Sequence, residues 1–136
     1  MSLLFEHADD IPRQQGAPDN FTGTMYFQPV AVNEACQLRA NRVTFVKGAR
    51  TFWHVHSGEQ VLYFLKGRGR VQVRGSQASD AVEDDVAHIP PGTEHWHGAH
   101  PEEEHAMQHL AITFGETTWL EPVSDEQYHR QPCTDF

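Results

Sequence analysis

An all-β fold, a sandwich or a barrel, is what this sequence predicts, on three observations. Short alternating or continuous apolar runs recur between turn residues at spacings of roughly eight to twelve positions. Almost no stretch carries a helical apolar period. Two histidine-bearing stretches, Gly48-Ala-Arg-Thr-Phe-Trp-His54-Val-His56-Ser-Gly-Glu59-Gln60 and Pro90-Pro-Gly92-Thr-Glu-His95-Trp-His97, lie well apart in the chain, and a closed sheet structure is what would bring them together.

The elements follow in order. Residues 1–20 are polar and carry Pro12, Gly16 and Pro18, so they read as an irregular arm that reaches toward a partner subunit. Phe21 to Val30 alternates and is rich in Thr, Tyr and Phe, the composition of a strand. Gln37 to Val46 is a second strand, with Asn41, Val43 and Phe45 on one face and Arg42 and Thr44 on the other. After the Lys47-Gly48 turn, Arg50 to His56 is a strand, and Ser57-Gly58 breaks it. Gln60 to Leu65 is a continuous apolar strand, turned at Lys66-Gly67-Arg68-Gly69 and followed by Val71 to Arg74. Gly75 to Asp80 is a polar loop, and Val86 to Ile89 and His95 to His97 are short strands around the Pro90-Pro91-Gly92 turn. Ala99 to His105 is an exposed loop, Met107 to Phe114 a strand and Trp119 to Val123 a last extended piece. Ser124 caps a short C-terminal helix, with Gln127 at the capping-box position. The expected organisation is an arm over 1–20, a barrel over 21–123 and a helix and tail over 124–136.

The bulk numbers exclude several classes. A chain of 136 residues favours one domain, and 38% hydrophobic with 21% charged residues is globular composition. A net charge of −9 argues against nucleic acid or an anionic membrane as partner. The local basic residues (Arg39, Arg42, Lys47, Arg50, Arg68, Arg70, Arg74) read as solvated strand edges and turns. No apolar run nears the ~20 residues of a membrane span, and Met1-Ser-Leu-Leu-Phe5 is too short for a signal peptide, so a cytoplasmic location is expected. Cys36 and Cys133 lack metal-type spacing and are expected as reduced thiols.

The ten histidines stand out, most of them between positions 54 and 109. Side chains alternate along a strand, so His54 and His56 share a face and offer two imidazole nitrogens to a divalent metal. His95 adds a third from a distant strand. Glu59 and Gln60 are the alternatives for an oxygen donor, and Gln60 is favoured because it begins the next strand and can point back inward. With three His and one Gln the ligands are all neutral and the metal keeps its full charge as a Lewis acid; with Glu59 the site would carry one net positive charge.

These residues resemble the cupin motifs. Gly48, His54, His56 and Gly67 match the first, with a donor slot at Gln60 in place of the usual Glu. Pro90, Gly92 and His95 match the second, with Asp84 where a Gly often opens it. Asn20-Phe-Thr-Gly-Thr24, Val43-Thr-Phe45, Gly48-Ala-Arg-Thr51, His95-Trp-His-Gly98, His109-Leu-Ala-Ile112 and Ser124-Asp-Glu-Gln-Tyr128 are similar to the small bacterial manganese cupins with hydroxynitrile lyase activity. The resemblance implies a double-stranded β-helix, jelly-roll-like barrel and Gln as the oxygen donor. It implies one divalent metal per chain, Mn(II) first with Fe, Zn, Ni and Co as alternatives, and a homodimer or homotetramer. It implies cleavage of an aromatic cyanohydrin of the mandelonitrile type to aldehyde and HCN, by Lewis-acid and general-base chemistry.

The base is expected to be a non-ligand histidine. His109 is the first choice, since it shares a face with Met107, Ala111 and Thr113 and the resemblance places an active-site histidine there; His97, on the face of His95, is the second. His7, His88, His100, His105 and His129 read as surface or structural. Phe52, Phe64, Trp96, Tyr26 and Phe45 are candidate pocket walls, and Arg42 is a candidate carboxylate clamp if it points inward. The competing readings are an Mn- or Fe-dependent dioxygenase, a non-catalytic cupin that binds a small metabolite, and an isomerase or decarboxylase whose cyanohydrin cleavage is incidental.

Overall fold

The computed structural model describes residues 3–132. Cys133 lies outside them, and Cys36 is an exposed free thiol. Among the described residues the strands are Gln14–Gln15 (β1), Phe21–Thr22 (β2), Met25–Asn33 (β3), Leu38–Phe45 (β4), Arg50–Thr51 (β5), His54–His56 (β6), Gln60–Lys66 (β7), Gly69–Val73 (β8), Ser79–Ala81 (β9), Val86–Ile89 (β10), His95–Ala99 (β11), Met107–Phe114 (β12) and Thr117–Trp119 (β13). One helix, Asp125–His129 (α1), follows. The strands form two antiparallel sheets. One runs β1-β3-β4-β12-β7-β10. The other is centred on β11, paired with β5, β6 and β8 and extended by β2, β13 and β9.

The first sheet is ruled into inward-facing rungs. Its middle strand β12 alternates buried and half-buried residues, so Met107, His109, Ala111 and Thr113 all face the interior. Thr113 lies opposite Arg39 and Gln60, Ala111 opposite Asn41 and Leu62, and His109 opposite Val43 and Phe64. The register between β12 and β7 shifts between Gln108 and His109, a bulge beside a polar interior residue. Met25, Val43, Phe45, Leu62, Phe64, Ile89 and Met107 fill the core between the sheets. Within the second sheet β11 and β5 approach tightly at Gly98, where a Cβ would meet the Ala49 carbonyl oxygen at 2.5 Å and Arg50 Cα at 2.6 Å.

Several elements differ from the expected ones. The stretch expected to be irregular over residues 1–20 contains β1, which pairs with β3 in one sheet, and β2 just after it pairs with β5 in the other. The intervening residues thereby bridge the two sheets. The strand expected over Arg50 to His56 is two, because Phe52 N–H turns to the Asn20 carbonyl and Trp53 N–H to the Glu121 carbonyl. Part of the expected loop over Gly75 to Asp80 is β9, paired with β8. Asp84 takes a left-handed φ of 74°, which accounts for a glycine being common there, and its carboxylate accepts from Tyr63 Oη at 2.8 Å. The capping box at Ser124 and Gln127 is formed.

Two of the basic residues expected in solvent are buried. Arg70 is 1% exposed and donates to Asp80, to the Tyr128 and Arg130 carbonyls and toward His100. Arg50 is 5% exposed, bonds the Val123 carbonyl and Asp125, and lies over the Tyr128 ring. Both tie the C-terminal helix to the outside of the second sheet. A guanidinium stays charged when desolvated, so its burial requires this dense set of acceptors.

Candidate metal centre and its cavity

Four histidines converge inside the barrel because β6 and β11 are adjacent: His54 lies directly opposite His95, and the period of two brings His56 and His97 to the same interior. The ring centroids of His54 and His95 are 4.2 Å apart, those of His54 and His56 4.9 Å, and those of His56 and His95 5.3 Å. One ring nitrogen from each of His54, His95 and His97 lies within 4.8 Å of the other two.

The outer nitrogens are fixed. His54 Nδ1 faces the Phe52 carbonyl at 2.9 Å and His95 Nδ1 the Thr93 carbonyl at 2.8 Å. A carbonyl only accepts, so these rings carry their proton on Nδ1 and offer a lone pair at Nε2. His56 Nδ1 faces Thr117 Oγ1 at 2.8 Å, and its Nε2 is buried without a partner. Gln60 gives its amide N–H to Thr113 Oγ1 at 2.9 Å, which turns Oε1 inward, 3.0 Å from His95 Nε2. Two lone-pair atoms so placed are reconciled by a shared cation. Among the described residues no carboxylate enters the cluster, and Glu59 is on the surface, 3.5 Å from His88. The interior donors therefore suit a divalent metal held by neutral ligands.

Electrostatics keep the imidazoles neutral. Burial pushes His54 and His97 well below the ordinary histidine value, and neighbouring histidines add to it. His56 is lowered to about 4, by burial first, then by the His95 and Arg39 charges, with Gln60 acting in the opposite direction. His95 is also lowered by burial. His109 is lowered to about 4, again by burial.

His97 and His109 form a pair. His109 Nε2 lies 3.0 Å from His97 Nδ1, while His97 Nε2 and His109 Nδ1 are buried and without partners. His109 is fully buried behind Phe45 and Phe64 and meets the site through His97. His97, in contrast, lines a cavity of about 400 Å³, together with Asn41, Phe21, Phe27, Phe45 and Trp119 among others.

Of the aromatic residues singled out in the sequence, Phe45 alone lines this cavity. Phe64 is core, Trp96 packs with Trp53 and Tyr128 on the outer side, and Arg42 is exposed. The missed walls are Phe21, Phe27 and Trp119. Trp119 leans over His54 at a centroid distance of 4.7 Å, and residues 15–17 and Asn20 of the arm complete the rim. His100 is structural, bonded to Asp80 beside Arg70. His7, His88, His105 and His129 are exposed.

Comparison with known proteins agrees with this architecture. Residues 41–113 match the cupin domain family. An (R)-mandelonitrile lyase of Granulicella tundricola is 40% identical over 121 residues, covering 85% of this chain and 91% of that protein. The crystal structure of a cupin-like protein from Thermotoga maritima superposes with a TM-score of 0.80 at 34% identity, over 93% of this chain and 95% of that one. A putative acetylacetone dioxygenase from Methylibium petroleiphilum shares the fold at 17% identity, with a TM-score of 0.74 over 90% of this chain and 83% of that one.

Proposed function

The chain belongs to the cupin family, and from that premise we propose that it is a metal-dependent lyase that cleaves aromatic cyanohydrins to an aldehyde and HCN. What carries the reading is the cavity. It is walled largely by apolar and aromatic side chains and opens onto His97, whose Nε2 is buried and unpartnered. The relative named for mandelonitrile cleavage, at 40% identity over most of both chains, supports the same substrate class.

In this reading His54, His56, Gln60 and His95 hold one divalent metal, Mn(II) in the first instance. Bound there, the metal supplies a Lewis acid that makes a nearby hydroxyl easier to deprotonate. Phe21, Phe27, Phe45 and Trp119 receive the aromatic ring and exclude water. His97 Nε2 accepts the hydroxyl proton. His97 Nδ1 and His109 Nε2 share one hydrogen bond at 3.0 Å; with His97 Nδ1–H as its donor, His97 Nε2 is left with a free lone pair. His97 is therefore the base and His109 its positioning partner, an exchange of the order expected from sequence, supported by the cavity reaching one and not the other. As the O–H bond breaks, its electron pair forms the carbonyl and the C–CN bond pair leaves with cyanide. The proton on His97 then passes to cyanide, giving HCN, and the base is regenerated.

Anaerobic benzaldehyde release from mandelonitrile tests this directly, comparing Mn(II)-loaded protein, chelator-treated protein and free Mn(II). Enantioselective release above the free-ion control, lost on chelation, is expected. Metal-loaded protein that releases nothing, but consumes oxygen with a chelating substrate, would reassign the site to oxygenation.

A further inference from the structure

The three histidines expected as ligands are not oriented alike. His54 and His95 rest on backbone carbonyls two residues before them, Phe52 and Thr93. Such acceptors are fixed by the strand and accept only, so ring orientation and tautomer are set together. His56 rests instead on the hydroxyl of Thr117. A threonine hydroxyl rotates and both donates and accepts, so by itself it fixes neither. Thr117 is half-buried in a three-residue strand.

Arg39 removes that freedom. Its Nη1 donates to the Gly115 carbonyl at 2.6 Å and its Nη2 to Thr117 Oγ1 at 3.2 Å. The planar fork thus grips two points of the β12–β13 turn, whose Gly115 has φ +82°. Arg39 comes from β4, opposite Thr113, on the same rung as Gln60. Thr113 in turn fixes the Gln60 amide. One rung therefore steadies both the oxygen donor and, through Thr117, the third imidazole.

We propose that Arg39 and Thr117 are positioning residues for metal binding: the Arg39 fork locks the Thr117 rotamer in which Oγ1 accepts from His56 Nδ1–H, so that His56 Nε2 is held ready as a ligand. The inference rests on the metal-site reading above. It is not obvious on charge alone, because a cation at Arg39 repels a metal ion. Removing it without any positioning role would tighten metal binding.

The test is Zn(II) affinity of the intact protein, measured by competition with a chromophoric chelator, with His56 ring nitrogens followed by 15N NMR as a second readout. For Thr117→Val, which keeps the branched shape and loses the oxygen, affinity is expected to fall about tenfold to a hundredfold, with Thr117→Ser restoring most of it. Arg39→Lys keeps the charge and loses the fork; a weaker affinity and a mixed His56 tautomer signal are expected. Unchanged affinity in folded Thr117→Val, or an Arg39→Gln variant that binds Zn(II) more tightly than wild type, would overturn the inference. Wild-type protein that takes up no Zn(II) at all would instead overturn the metal-site reading, which separates the two failures.

Discussion

Two regions of this molecule bury polar side chains, and they do it in opposite ways. Outside the second sheet, Arg70 and Arg50 are almost fully buried, and their guanidinium groups meet carboxylates, carbonyls and an aromatic face. Inside the barrel, among the described residues, the buried polar groups are imidazoles with Gln60 and Thr113 and no carboxylate, the imidazoles held neutral by burial. Among the described residues the buried side-chain nitrogens or oxygens left without partners are Arg50 Nε, His56 Nε2, His97 Nε2 and His109 Nδ1. A buried polar atom without a partner is unfavourable by about 1–3 kcal/mol. A nearly saturated network, in which Arg50 Nε is the one buried atom left over among the described residues, needs nothing from outside and holds the fold. An unsaturated one, kept neutral and gathered around His54 and His95, is a site for something that arrives.

The sharpest way to break this contrast is to remove a donor from the unsaturated set. His54→Ala is expected to abolish stoichiometric metal binding and bring cyanohydrin cleavage down to the free-ion background, with the barrel still folded by circular dichroism. Metal retained at one ion per chain, by elemental analysis, would place the centre elsewhere. Next in size is the base. His97→Gln is expected to lower turnover by about 10²–10⁴-fold while keeping the metal. His109→Gln should do less and alter the pH profile of the remaining activity. Equal losses in both variants would mean that the pair acts as one unit.

The saturated side predicts a different response. Asp80→Asn leaves the Arg70 cation buried with less counter-charge, and breaking such pairs destabilises by about 3–5 kcal/mol. Asp80 is itself 42% exposed and screened by water, so a smaller loss, about 1 kcal/mol, is expected in urea unfolding. Metal affinity should be untouched. A loss of affinity in the folded variant would show that the two regions are coupled through Gly98, which lies between Arg70 and Arg50 in the register of β11.

The contrast also explains what was legible in the sequence. His54, His56 and His95 were visible because the period of a strand is two and the motif glycines and prolines mark the turns. Gln60 was visible as the first residue of the next strand, and the capping box at Ser124 needs only local spacing. Phe21 and Trp119 were not visible as cavity walls, because they arrive there through pairings of β2 and β13 with distant strands. The burial of Arg50 and Arg70 was hidden for a related reason. A charge reads as solvated until its acceptors are known, and theirs come from the C-terminal segment and, for Arg70, from Asp80 in β9. The preference for His109 over His97 followed strand parity correctly; parity places both inside but does not say which one meets the cavity.

The smallest predicted effect is on pH dependence, and it has a definite sign. In the unfolded chain these imidazoles titrate near 6.5, whereas folded His56 and His109 titrate at about 4 and His54, His95 and His97 are also lowered. Between those values the unfolded chain binds more protons than the folded one. Stability of the metal-free protein should therefore be complete above about pH 6.5 and decline as the pH falls toward 4. The arginine side responds at lower pH, since Asp80 and Asp125 are held below the usual carboxylate value; at Asp125, which is exposed, and at partly exposed Asp80 the contribution to stability is minor. Thermal unfolding of metal-free protein from pH 7.5 to 4.5 reads the histidine contribution alone. His109→Phe should flatten that slope if the ring is neutral and buried in the folded state. A slope unchanged by the substitution would mean that this interior imidazole is not desolvated, and the contrast between the two regions would lose its electrostatic basis.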